Sequence, residues 1–265
     1  MNIFLHELRS YRKSTFIWSL SLIVLVLLFM SFYPSFSKDA ENFTKIMESY
    51  PESVRNLIGV NLSSFFTILG FYSFLLTFIT LCGAVQSMNL GTSIISKEAR
   101  EKTADFLLTK PVTRKTVMTA KLLAAFASLV ITNVLYLTVA SIVTIQVKNV
   151  DFNYKVFILL SLTLFFVQLI FLAIGFMVSV LVPKMKSVLP VSLGTVFAFY
   201  FLGMFSGTAG EEARRYVSPF KYFDTFYIMK HASYERSFLI AGAVIIMISI
   251  ITSFIVYTKK DIHTV

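Results

Sequence analysis

The sequence predicts an all-α membrane protein with six transmembrane helices. Three observations carry that expectation. Only 14% of the 265 residues are charged and 56% are hydrophobic, whereas a water-soluble domain carries about 25% charged residues. Such a chain has no polar coat to present to water. Six apolar stretches are each long enough to cross a hydrocarbon core, which takes about 20 residues of helix. Lys and Arg are shared unevenly among the connecting segments, as in a chain with a defined orientation across a membrane.

The spans are expected at residues 15–36, 65–94, 117–145, 155–182, 188–206 and 238–258, within a single transmembrane domain covering 1–265. No Asp, Glu, Lys or Arg is expected well inside any of them. The third and fourth runs exceed the minimum, so those helices either tilt or project beyond the membrane. The first run follows a basic segment and has no small-residue cleavage site behind it, so no cleavable signal peptide is expected. Cys82 is the single cysteine, which excludes an internal disulfide and suggests no metal cluster.

The formal net charge is +10. In a soluble chain this would raise nucleic acid as a partner. Here the basic residues are assigned to cytoplasmic loops, and no nucleic acid is expected. The N-terminus, the loop 97–121, the turn at Lys184 and Lys186, and the C-terminal tail hold 14 Lys/Arg against 5 Asp/Glu. The other three loops hold 10 against 9. Basic residues stay on the cytoplasmic side, so both termini and the long basic loop are expected inside a plasma membrane.

Three connecting segments are patterned. Residues 2–13 place Ile3, Phe4, Leu8 and Tyr11 on one side of a helix and His6, Arg9 and Lys13 on the other. This reads as an interfacial helix over 1–14 on the cytoplasmic leaflet; the alternative is an ordinary basic flank. In the first external loop, Phe43, Ile46, Met47, Tyr50, Val54, Leu57 and Ile58 recur at helical spacing, with Pro51 starting and Gly59 ending a second piece. Two short helices are expected there, either covering the outer mouth of the bundle or resting in the lipid interface. Between the last two spans, Tyr216, Phe220, Tyr222, Phe223, Phe226 and Tyr227 suit the headgroup layer, so a short re-entrant or interfacial helix pair is expected. Glu211 and Glu212 with Arg214 and Arg215 read there as a solvated patch, with substrate gating the alternative. Gly203 and Gly207 make a G-x-x-x-G step that permits close helix approach.

Residues 96–121, SKEAREKTADFLLTKPVTRKTVMTAK, are the longest and most basic cytoplasmic segment. Glu98, Arg100, Glu101 and Lys102 give a charged helix start, Phe106, Leu107 and Leu108 an apolar knob. Pro111 ends that helix, and Thr113 is an N-cap for the next. A short charged helix with an apolar tip suits docking into a groove on another protein.

The run E-x-x-E-x-T-x-x-x-L-L-x-x-P-V-x-R in this coupling loop, 95–116, resembles the cytoplasmic loop of ABC type-2 transporter permeases. Their common form is close to E-R-E-E-G-T-L-E-x-L-L-x-x-P-V-S-R, followed by a Lys and the third span. The matching positions are Glu98, Glu101, Thr103, Leu107, Leu108, Pro111, Val112, Arg114 and Lys121; Lys102 stands where Gly is usual and Ala99 where Arg is. The resemblance implies a permease, two copies of the same or a related chain, paired with two cytosolic ATP-binding subunits that hold the ATP and Mg. This chain would itself hold no cofactor. Glu98, Arg100, Glu101, Thr103, Phe106, Leu107, Leu108, Pro111 and Arg114 would couple to the ATPase, charges at the joint and apolar residues in its groove. Independently, no G-x-x-x-x-G-K-[ST] run occurs, so no ATP hydrolysis is expected in this chain.

Other chemistry is missing. A proton- or sodium-coupled carrier keeps an ionisable group inside the membrane, and none is expected here. His6, His231 and His263 lie in separate segments, and no H-E-x-x-H or G-x-S-x-G occurs. The main polar side chains within spans are Gln86, Asn89, Asn133 and Gln168, read as interhelical hydrogen-bonding groups or as the lining of a pathway. The function expected is an exporter's membrane subunit. The alternative is a non-transporting sensor or scaffold that recruits a cytosolic partner through the basic loop.

Overall fold

The computed structural model describes residues 3–38, 50–51, 66–100, 113–148, 151–182, 185, 187–206 and 212–259, without the side chains of 98–100, 206 and 212–213. Six long helices match the six expected spans: α1 (Ile3–Lys38), α2 (Ile68–Arg100), α3 (Arg114–Val147), α4 (Tyr154–Leu181), α5 (Val188–Ser206) and α8 (Arg236–Lys259). Between the last two lie α6 (Glu212–Arg215), a 3-10 turn at Pro219–Lys221, and α7 (Thr225–His231). Local chemistry sets several starts. Thr113 caps α3 by accepting from the Thr116 N–H, and Asn153 caps α4 by accepting from Lys155 and Val156. Pro190 falls in the first turn of α5, where its missing N–H costs nothing.

The centre of the bundle is the α2–α4 pair, with α1 against α3, α8 against α4, and α5 against α2. Glycine makes the central contact possible. A Cβ on Gly91 would lie 2.6 Å from the Leu172 carbonyl, and one on Gly175 would lie 2.8 Å from the Met88 carbonyl. The two backbones therefore touch directly, the small-residue packing by which helices associate in lipid.

Two apolar clusters divide the molecule lengthwise. One joins Leu90, Ile94, Met118, Phe176 and Val180 to Phe4, Tyr11 and Tyr257. It gathers the start of α1, the end of α2, the start of α3 and the ends of α4 and α8. The other centres on Tyr33, Phe71, Tyr72, Tyr136, Phe157 and Phe223. The start of α1, the last turns of α2, the start of α3 and the end of α8 thus belong to one end of the bundle.

Three expectations change. Residues 3–14 are not a separate interfacial helix but the start of the unbroken 36-residue α1. Its apolar face packs on protein, since Phe4 and Tyr11 join the first cluster, while His6, Arg9 and Lys13 are exposed. At 1.5 Å per residue α1 is about 54 Å long, well beyond a hydrocarbon core of ~30 Å. Glu98 and Arg100 do not open a new helix; they continue α2, because no Gly or Pro interrupts the chain after Gly91. The aromatic segment before α8 is largely inserted into the bundle: Tyr222, Phe223 and Ile228 are buried, and Phe223 stacks on Phe166. Tyr216 and Phe226 remain exposed. The expected helices at 43–58 lie outside the described residues, apart from Tyr50 and Pro51.

Candidate functional site

At the end where the chain's basic segments meet, three helices are joined by a buried ion pair. Glu7 (α1) and Lys121 (α3) approach to 3.2 Å with side chains 5% and 1% exposed. The Lys121 ammonium also donates to the Ile94 carbonyl of α2. Nearby, Tyr11 and Ser93 hydroxyls lie 2.9 Å apart, and Lys97 donates to Ser10 at 2.8 Å. Glu7, Ser10 and Tyr11 are spaced i, i+3, i+4, so one face of α1 makes every contact. Lys121, counted with the basic loop in the sequence, lies about two turns inside α3. Pairing makes that tolerable, because an isolated ammonium away from water is far costlier than a matched pair. Glu7 Oε2 is buried and accepts no hydrogen bond. Glu7 was legible in principle, as the one charge on the Ile3, Phe4, Leu8, Tyr11 stripe.

Deeper in the bundle, polar side chains from four helices form one chain. Gln168 Nε2 (α4) donates to Gln86 Oε1 (α2) at 3.0 Å. Gln86 Nε2 donates to Thr132 Oγ1 (α3) at 3.0 Å. Ser19 Oγ (α1) lies 3.1 Å from the same Thr132 hydroxyl. Asn133 Nδ2 donates to Gln168 Oε1 and to the Leu129 carbonyl. A second layer, which the sequence did not single out, links the Tyr72 hydroxyl to Tyr136 at 2.6 Å and to Ser161 at 2.7 Å. Between α3 and α4 an apolar cavity of about 300 Å³ is lined by Phe126, Asn133, Tyr136, Leu137, Ser161 and Phe165, among others.

The structure thus unites Gln86, Asn133 and Gln168 and leaves Asn89, half-buried on α2, outside their chain of bonds. Of the expected coupling residues, Glu98 and Arg100 lie in the last described turn of α2 and Arg114 begins α3. Glu101, Thr103, Phe106, Leu107, Leu108 and Pro111 lie outside the described residues. Among the described residues, no group of three or more His, Cys, Asp or Glu is placed to hold a metal ion.

At the opposite end, Arg215 is not part of a solvated patch. It grips Glu235 through two nitrogens, at 2.6 and 3.2 Å, donates to the Lys221 carbonyl, and lies 4.2 Å over the Phe238 ring. Burial pushes the Lys221 ammonium below its usual range, Asp224 pulling the other way. Burial raises the Tyr234 phenol, whose hydroxyl donates to the Leu159 carbonyl. Gly203 lets this segment come close: a Cβ there would sit 2.8 Å from Ser218 Oγ. Its sequence partner Gly207 lies outside the described residues.

Six apolar helices around a small hydrogen-bonded core, with α1 beginning and α8 closing at the same end, define a polytopic membrane protein of permease layout. The family model for the ABC-2 family transporter protein matches residues 1–262. The chain belongs to that family and is an ABC-2 type transporter permease, a membrane component that lacks ATPase activity. Membership implies association with an ATP-binding subunit and sets aside the non-transporting sensor or scaffold. A comparison with curated proteins found no match.

Proposed function

We propose that this chain is the membrane subunit of an ATP-driven exporter in the plasma membrane. Two permeases, identical or related, pair with two cytosolic ATP-binding subunits that hold the ATP and Mg. The observation that supports this reading is the position of the two helix segments, up to Arg100 of α2 and from Arg114 of α3, that the 101–112 connection joins in sequence. Both segments lie at the end where α1 begins and α8 closes, which the charge asymmetry assigns to the cytoplasm. Glu98, Glu101 and Arg114 make charge-assisted contacts with the ATPase, and Phe106, Leu107 and Leu108 fill its groove. Closure of the ATPase dimer pushes on this connection and moves α2 and α3. The cavity between α3 and α4 supports an apolar or amphipathic substrate, and Asn133 is the amide in its lining.

Charge reversal tests the coupling role. Glu98→Lys and Glu101→Lys are expected to leave the protein folded and membrane-inserted while abolishing stimulation of the partner's ATPase. Stimulation retained at the wild-type level in both variants would sink the assignment.

A further inference from the structure

The Glu7–Lys121 pair has more to it than cohesion. A buried ion pair gains little over a well-packed apolar pair of similar volume, because desolvation offsets attraction. Its distinctive property is directional: it holds in one register and fails when the register slips. Lys121 fastens α1 through Glu7 and α2 through the Ile94 carbonyl, immediately below the two ends of the 101–112 connection. Tyr11–Ser93 and Lys97–Ser10 tie the same two helices alongside it. α1 has no chain connection to that loop, since α2 lies between them in sequence. The pair is thus a charged link between the base of α3 and α1. Glu7 Oε2 has no donor, so the carboxylate has an acceptor left to rotate onto the ammonium if the helices shift.

We infer that Glu7 and Lys121 are positioning residues that carry movement of the 101–112 loop from α3 to α1. The inference rests on the coupling role proposed above for that loop. When nucleotide moves α3, α1 goes with it as one unit; without the ion pair, α3 moves and α1 lags.

Distances between spin labels on the native complex, purified through a tag on this chain, test it. In a Cys82→Ser background, labels at exposed Arg9 and Lys115 report α1 against α3. Labels at Lys115 and Lys259 report whether nucleotide moves α3 at all. With ATP, Mg and vanadate the wild-type Lys115–Lys259 distance is expected to shift while Arg9–Lys115 stays fixed. In the double variant Glu7→Leu with Lys121→Met, the Arg9–Lys115 distance is expected to broaden by several ångströms on trapping, with thermal stability close to wild type. The swap Glu7→Lys with Lys121→Glu should restore the fixed distance, and Glu7→Gln, which keeps an oxygen facing Lys121 but no charge, is the second variant if the apolar pair fails to fold. An apolar or Gln variant whose Arg9–Lys115 distance stays as fixed as wild type overturns the inference alone. A wild-type Lys115–Lys259 distance that ignores nucleotide overturns the coupling role and the inference together.

Discussion

Lys121 keeps its charge out of water because Glu7 and the Ile94 carbonyl meet it. Removing either partner strands the other, so Lys121→Met alone is expected to cost about 3–5 kcal/mol, read as a lowered unfolding temperature in detergent. The double apolar variant should recover most of that loss. The amide chain is a gentler case. Gln168 bonds both Gln86 and Asn133, and Gln168→Leu is expected to cost roughly 0.6–1.7 kcal/mol, the range for hydrogen bonds between membrane helices. Asn89→Leu, outside that chain, should cost less in the same unfolding assay. At this scale the sequence was readable where chemistry forces a partner. An amide inside an apolar run must bond something, so Gln86, Asn133 and Gln168 stood out. It was less readable where packing decides. Asn89 is as polar as the others and lies three residues past Gln86, on a neighbouring part of the helix surface, yet stays outside their chain of bonds, and the pairing of Glu7 with Lys121 joins positions 114 residues apart.

Among elements, α2 and α4 are held at backbone contact by Gly91 and Gly175. Gly91→Leu or Gly175→Val must separate the helices, since the intruding carbon meets backbone rather than a flexible side-chain tip. Each is expected to cost about 1–3 kcal/mol or more and to lower the yield of folded protein in size-exclusion profiles. Gly194→Ala on α5, where a Cβ meets nothing within 4 Å, should leave the profile unchanged. The segment before α8 depends on the Arg215–Glu235 pair, which is only partly shielded, with side chains 22% and 17% exposed. Arg215→Ala is expected to cost ~1–2 kcal/mol, as for a hydrogen-bonded charge at partial burial, and to open residues 207–236 to limited proteolysis. Element existence was legible because a span needs a long apolar run. Element ends were not, because hydropathy marks where the membrane is and not where hydrogen bonding stops. α2 runs six residues past its expected end at Ile94, and α1 absorbs residues assigned to a separate helix.

For the molecule as a whole, the alternation of six spans brings the beginning of α1, the last turns of α2, the start of α3 and the end of α8 to one end. The coupling account depends on that end facing the ATP-bearing compartment. The charge contrast that orients it, 14 Lys/Arg against 10, comes mostly from one loop. Family membership was legible in the spacing of Glu98 to Arg114, and the match extends over residues 1–262. The joint between α1 and α3 was not, because it exists only when the helices are packed. Photo-crosslinking from a benzoylphenylalanine placed at Phe106, compared with one at Phe43 in the first external loop, tests orientation and partner in one measurement. The account predicts that in intact cells Phe106 crosslinks to an ATP-binding subunit and Phe43 does not. Crosslinking from Phe43, with none from Phe106, would contradict it.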